Sequence, residues 1–324
     1  MALRPVPWAI GNGAENSVEL ARAGIYSATS GATGITEPGD FIVKALPTPG
    51  AAVRVNKGGG VIKSTYPGVF GQSYAVQEQS YTDVPVAATG SSGGATKYVY
   101  VLIKDTQYGG QTPPSVENGP YNEYAVTTTL PSNQPYLLLA KIVQPASTAT
   151  ITGAMITDMR EMANPRIKVV NRARPSVATD TAMVLNSTTG EYFPGDGGAS
   201  GGTQEIAVPS WATRMIVEAM WIGVEYSAGT NSYGKYWIEY GINADRYITQ
   251  DFAFNSPGTA ADGMRANWPL ADDRHVPVAM RGNVGVFSFG AKRDAPSTGR
   301  AHMDRLSGLS LKVTFLEVPD QSTS

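Results

Sequence analysis

Apolar positions along this chain recur with a period of two far more often than with a helical period. Residues 285–290 (GVFSFG) and 310–316 (SLKVTFL) put apolar side chains on one face and small or polar ones on the other, the mark of a half-buried strand. Residues 97–104 (KYVYVLIK) are β-branched and aromatic without Gly or Pro, and residues 136–143 (YLLLAKIV) form a continuous apolar run suited to a strand covered on both faces. Further strands are predicted at 40–46, 51–56, 60–64, 73–77, 203–208, 214–224, 235–240, 247–254, 275–280 and 309–318. One helix is predicted, over 17–29. Asn16-Ser17-Val18-Glu19 reads as a capping box with Asn16 at the N-cap, Val18, Ala21 and Ile25 follow at helical spacing, and Gly31 and Gly34 limit it.

Punctuation between these elements predicts the domains. Asn164-Pro165-Arg166 marks a boundary, and 194–202 is a Gly/Ser-rich stretch. The expected fold is all-β: a β-rich N-terminal domain with one short helix (1–165), a linker (166–202) and a C-terminal β-sandwich, jelly-roll-like (203–324). The linker contains a basic run, Arg166, Lys168, Arg172 and Arg174, read as a solvated connector or inter-subunit seam rather than a nucleic-acid or lipid patch. Residues 108–135, rich in Gly, Pro, Asn and Tyr, read as a long loop packed on a neighbour or serving a function.

Composition narrows the class. Charged residues are 16% of the chain against a usual ~25%, and apolar residues are 42%, which excludes a disordered chain and a coiled coil. The net charge of −2 is spread evenly between the halves, so neither half is a nucleic-acid binder on charge grounds. No cysteine is present, which excludes disulfides and thiolate metal sites. Neither a signal-peptide core nor an 18-residue apolar run is found, so no membrane insertion is expected.

Candidate chemistry is sparse. His275 and His302 lie outside metal-ligand spacings, and Asp272-Asp273-Arg274 ahead of His275 reads as a charged turn. There is no nucleophile elbow and no Walker loop, and Gly11-Asn12-Gly13 lacks the preceding strand of a phosphate-binding loop. No metal, no cofactor and no enzymatic activity are expected, although 27 scattered acidic residues leave a glycosidase-type carboxylate pair open. Aromatic residues are more informative. Tyr226, Tyr233, Tyr236, Trp237 and Tyr240 crowd around a polar loop, 227–235, whose Tyr, Ser, Gly and Asn composition suits an adaptable binding surface. A second loop, 255–269, carries Asp262, Arg265 and Trp268. Tyr226, Asn231, Tyr233, Tyr236 and Trp268 are the candidate receptor contacts; the competing reading is a hairpin whose aromatic residues fill the sandwich, with Trp268 plugging the core.

A run of motifs adds a resemblance. The opening LRPVPWAIGNGAENSVELARAGIYSATSGATGITEPGDFIVKAL is followed by PGAAVRVNKGGGVIKS, by Val101–Asp105 (VLIKD) with Gln107-Tyr108-Gly109-Gly110, by Leu137–Ile142 (LLLAKI), Pro145–Thr148 (PAST) and Ile151-Thr152, and by Met155–Arg160 (MITDMR) and Ala163–Arg166 (ANPR). In this order they resemble the N-terminal domain of minor tail proteins of tailed phages infecting actinobacteria, over about residues 2–166. The resemblance implies a virion protein of the tail tip or baseplate, assembled in the host cytoplasm, homotrimeric, and anchored through its N-terminal domain to other tail proteins. By analogy with phage receptor-binding proteins, the C-terminal sandwich would attach the particle to a host cell-wall glycan by non-covalent, multivalent binding. A structural spacer and a glycan depolymerase are the rival readings.

Overall fold

The computed structural model describes residues 17–110, 112, 115, 117, 119–174, 183–195, 202–227, 231–256 and 264–320. It is an all-β protein with a single α-helix among the described residues. The chain forms two compact units, Met1–Pro165 rejoined by Val318–Ser324, and Arg166–Glu317.

The first unit contains α1 (Val18–Ala28) and eight strands: β1 (Gly34–Ile35), β2 (Val43–Ala45), β3 (Ala52–Lys63), β4 (Ser73–Pro85), β5 (Ala95–Ile103), β6 (Asn122–Thr127), β7 (Tyr136–Gln144) and β8 (Ile156–Asp158). β3 pairs with β4 on one edge and with β1 and β2 on the other; the second sheet runs β6-β5-β7-β8. Val53, Val55, Ile62, Val99, Leu139 and Ile142 meet in the core.

The helix begins one residue later than expected. The Ser17 hydroxyl accepts from the Leu20 N–H at 3.2 Å, while Asn16 lies outside the described residues. No residue of α1 is buried. An 11-residue helix is marginal alone, and polar contacts hold this one: Arg22 pairs with the buried Asp105 at 2.7 Å, and Gln107 donates to Glu19 at 2.5 Å. The region read as a long loop, 108–135, contains β6, which pairs with β5.

The two strands predicted at 51–56 and 60–64 are one, β3, continuous through Gly58-Gly59-Gly60. The register against β4 slips between Asn56 and Gly58, and a Cβ on Gly58 would stand 2.3 Å from the Phe41 backbone nitrogen. The glycine therefore answers a close backbone approach inside a bulged strand rather than a turn.

The second unit contains β9 (Ile167–Arg174), β10 (Met183–Val184), β11 (Glu191–Tyr192), β12 (Thr203–Ala207), β13 (Arg214–Tyr226), β14 (Ser232–Ile242), β15 (Asp245–Ile248), β16 (Phe252–Ser256), β17 (Arg265–His275), β18 (Val284–Arg293), β19 (Ala301–Met303) and β20 (Gly308–Leu316). One sheet runs β9-β20-β13-β17, with β19 and β10 beyond β20 along β13. The other runs β12-β18-β14-β16, with β11 pairing β18 beyond the end of β12 and β15 pairing β14 beyond the end of β16. Taken in order, the long strands β9, β12, β13, β14, β16, β17, β18 and β20 change sheet at every step except the β14–β16 pair, and the first and last lie side by side. That is the jelly-roll order.

Four sequence expectations change here. The basic run 166–174 is not a linker: β9 pairs with β20 from Ile167–Leu316 to Arg174–Leu309. As an edge strand it keeps Lys168 and Arg172 exposed, which hid its strand character. Of the predicted loop 255–269, residues 257–263 lie outside the described residues and 265–269 belong to β17; the strand predicted at 275–280 gives way to the end of β17 and a short 3₁₀ turn at Val278–Met280. The strand expected at 247–254 is split at Thr249, whose hydroxyl accepts the Ile238 N–H at 3.0 Å.

Gly58→Ala is expected to cost about 1–3 kcal/mol, the range for forcing extra atoms into a packed site, and to lower the melting temperature. Gly153→Ala, where a Cβ would meet nothing within 4 Å, should leave it unchanged. Thermal unfolding by circular dichroism compares the two; equal melting temperatures would remove the close-approach explanation.

Candidate functional site

Alternation decides which aromatic side chains of the second unit reach the surface. Tyr226, Tyr236 and Trp268, expected as receptor contacts, are 2%, 4% and 2% exposed and belong to the core. Trp268 stacks on Phe254 at 4.2 Å and on Tyr236 at 5.2 Å. Its indole N–H donates to the Tyr226 hydroxyl at 2.7 Å, and the Tyr236 hydroxyl donates to the Pro269 carbonyl at 2.7 Å. Burial pushes both tyrosine hydroxyls above their ordinary pKa. These three residues hold the sandwich together and are not free to meet a receptor.

Asn231 and Tyr233 remain near the surface. Asn231 is exposed, and its carbonyl accepts the Gly299 N–H at 2.7 Å and the Ser297 hydroxyl at 3.1 Å, which ties the start of β14 to the segment before β19. Tyr233 is half-buried and pairs with Asn255 of β16. Residues 228–230 and Asp262 lie outside the described residues.

Along β14, Ser232, Gly234, Tyr236, Ile238 and Tyr240 are buried, while Tyr233, Lys235, Trp237 and Glu239 form the outer face of the sheet. Across on β18, Lys235, Trp237 and Glu239 lie opposite Lys292, Gly290 and Ser288. The Trp237 ring covers the glycine: a Cβ on Gly290 would stand 2.6 Å from the indole nitrogen, and one on Gly190 would stand 3.2 Å from the far edge of the ring. Two missing side chains thus make room for a half-buried indole on an otherwise polar sheet, and the indole N–H has no protein partner among the described residues.

Polar groups surround the ring. The Tyr192 hydroxyl donates to Glu239 at 2.9 Å, and Arg246 stands 3.6 Å from the same carboxylate. The Glu239 hydrogen bond raises the Tyr192 pKa. The hydroxyls of Thr203 and Ser288 are 3.0 Å apart. Lys235 pairs with Asp251 at 2.7 Å, and their hydrogen bond lowers the carboxyl's pKa and raises the amine's. The result is a face with one aromatic platform, a second ring at Tyr233, and hydroxyl, amine and carboxylate groups between. Such a surface can stack on an apolar ligand face and hydrogen-bond its edges.

Trp237 was visible in the sequence but was not separated from its neighbours. The signal was there in Lys235 and Glu239, whose charges mark the outward parity of β14 and assign Tyr233 and Trp237 to it, leaving Tyr236 and Tyr240 inward. Tyr192 and Lys292 come from other strands and carried no such local signal.

A second polar cluster closes the end of the first sheet. The β13 bulge at Gly223, φ +67°, offers its carbonyl to Arg265 at 2.9 Å and to the Ser307 hydroxyl at 2.8 Å. Arg265 also binds Asp304 at 2.8 Å and contacts Glu225, which lies 3.4 Å from His302. The Arg265 hydrogen bond holds the Asp304 carboxyl down to about 2. Among the described residues no group of three or more His, Asp or Glu could hold a metal ion.

No protein-family model and no curated protein matches the chain. Solved structures give distant alignments only. The VP2 subviral particle of infectious bursal disease virus aligns at 12% identity and a TM-score of 0.28, over 92% of this chain and 77% of that one. The Gx strain of the same virus aligns at 11% and 0.26, over 87% and 69%. A carbohydrate-binding module of the β-sandwich superfamily, described for its promiscuous specificity, aligns at 10% and 0.17, over 89% and 96%. At these TM-scores the alignments establish neither a shared fold nor a shared function.

The Arg265–Asp304 pair sets an acid limb. Its carboxyl titrates near the ordinary 3.8 when unfolded and at about 2 when folded. The contribution to stability is therefore present above about pH 4 and lost as pH falls toward 2. Melting temperatures from pH 5 to pH 2 should fall more steeply for the wild type than for Asp304→Asn, which starts lower; parallel curves would rule out the pair as a source of acid sensitivity.

Proposed function

We propose that this chain is a virion protein of a phage tail tip or baseplate, and that its second unit attaches the particle to a host cell-wall glycan without cleaving it. The resemblance of residues 2–166 to minor tail proteins supplies the particle context. The observation that carries the attachment is Trp237, laid over Gly290 on the outer face of the β14–β18 sheet with an indole N–H that has no protein partner among the described residues. Sugar rings present flat apolar faces edged with hydroxyls, and a half-buried aromatic platform among polar groups is complementary to them.

Binding rather than hydrolysis is supported by the state of the acidic side chains. A glycosidase keeps two carboxylates free to face one sugar. In the second unit Glu218, Glu225, Glu239, Asp251, Asp272, Asp273, Asp304 and Glu317 are each in contact with an Arg or Lys partner, which leaves Glu191, Glu205, Asp245 and Asp294 as the described carboxylates of the unit without an ion pair. An open sheet face also suits weak contacts, which symmetric assembly, a homotrimer in this reading, would multiply into avidity.

Trp237→Leu and Tyr233→Ala, each in the full-length protein, should lower binding to purified host cell-wall glycan by about tenfold, the order expected for losing ~1–2 kcal/mol of ring stacking and burial. Their melting temperatures should stay within a few degrees of wild type. Wild-type protein that binds no wall glycan would leave the spacer reading standing, and release of reducing ends from the glycan would establish a depolymerase instead.

A further inference from the structure

Resting on the reading of the second unit as a glycan binder, we infer that the β14–β18 face takes a linear oligosaccharide bearing negative charge, stretched along β14 with an anionic substituent held between its two aromatic rings by Lys292. Three observations place the ligand this way.

The first is spacing. Tyr233 and Trp237 are four residues apart on the same face of one strand, about 13 Å at ~3.3 Å per residue. That is the span of a short run of sugar rings and too long for one, so both platforms are used only by a chain laid along the strand.

The second is charge. The residues between the rings form the cross-strand row Lys235–Lys292. Asp251 neutralises Lys235 at 2.7 Å, whereas Lys292 has no ion pair among the described residues. Arg293 is engaged with the backbone carbonyls of Asn186 and Ser297, leaving Lys292 as the cation available to a ligand.

The third is contrast with the opposite sheet. On the outer face of β13 and its neighbours the charged groups are matched: Glu218 with Lys312 at 2.7 Å and Arg214 with Asp273 at 2.6 Å. That face has Met220 and Ile222 exposed but no aromatic ring along β13 comparable to Trp237. The unmatched lysine and the paired rings coincide on one face only, so the charge preference belongs to the glycan face rather than to the sandwich as a whole.

Calorimetry on the full-length protein tests this with oligogalacturonate, the same oligosaccharide methyl-esterified to remove its charge, and inorganic polyphosphate. At low salt the charged oligosaccharide should bind about three- to tenfold more tightly than its ester, the effect of one exposed to half-buried charge contact. The gap should close in Lys292→Gln and at high ionic strength, and Trp237→Leu should weaken both forms. Equal affinity for the two forms, or a gap unchanged in Lys292→Gln, would overturn the charge inference and leave glycan binding intact. Polyphosphate binding as tightly as the charged oligosaccharide, and indifferent to Trp237→Leu, would overturn it by exposing a plain anion patch. Failure of both oligosaccharides to bind also overturns it; the cell-wall glycan assay then decides whether glycan binding falls too.

Discussion

Trp221 lies where the two sheets of the second unit meet, fully buried against Phe289 at 4.8 Å, Tyr236 at 5.1 Å and Trp268 at 6.3 Å. A buried indole or phenol carries a polar hydrogen that costs free energy unless it finds an acceptor. Each one here does. Trp221 donates to the Phe193 carbonyl at 2.8 Å, Trp268 to Tyr226, and Tyr236 to the Pro269 carbonyl. These bonds run between strands and between sheets, so the aromatic core fixes the registration of the sandwich as well as filling it. The outer face around Trp237 depends on that registration, because the indole sits where the pairing of β14 with β18 places Gly290 beneath it.

Closure of the sandwich depends on its first and last strands. β9 enters beside β20, and at their ends the Arg166 guanidinium and N–H both donate to the buried Glu317 carboxylate. Breaking such a buried pair by removing one partner leaves an uncompensated charge, so the place where the chain enters this unit and the place where it leaves are held as one structural element. Lys168 bonds to the Ala207 carbonyl of β12 in the facing sheet at 3.0 Å. The basic residues of β9 thus close one margin of the sandwich while keeping its open edge charged, a feature that discourages strand addition.

The first unit solves a different problem. Its sheets approach closely at Gly60, where a Cβ would stand 2.8 Å from Leu137 of the second sheet. Its helix is added by charge and hydrogen bonds rather than by a buried stripe. The polar attachment of α1 and the aromatic interlock of the second unit explain why one chain contains a lightly anchored helix and a tightly determined jelly roll.

The sequence by itself determined the all-β class, the single helix, the change of unit at Pro165–Arg166 and most of the central strands, because strand alternation and Gly/Pro punctuation are local properties. The edge strands were harder to read. β9 is charged because it is an edge, and β17 carries Pro269, which a strand tolerates at a sheet margin. The candidate site was half legible. Tyr233 stood on the correct face, but Tyr226, Tyr236 and Trp268 looked like surface residues because composition cannot tell which side of a pleat an aromatic ring occupies. That side is set by cross-strand register, and register arises from strands up to a hundred residues apart, such as Gly190, Trp237 and Gly290 meeting on one face. Only the tertiary structure brings them together, since no local rule links a glycine on one strand to the indole that needs its missing side chain.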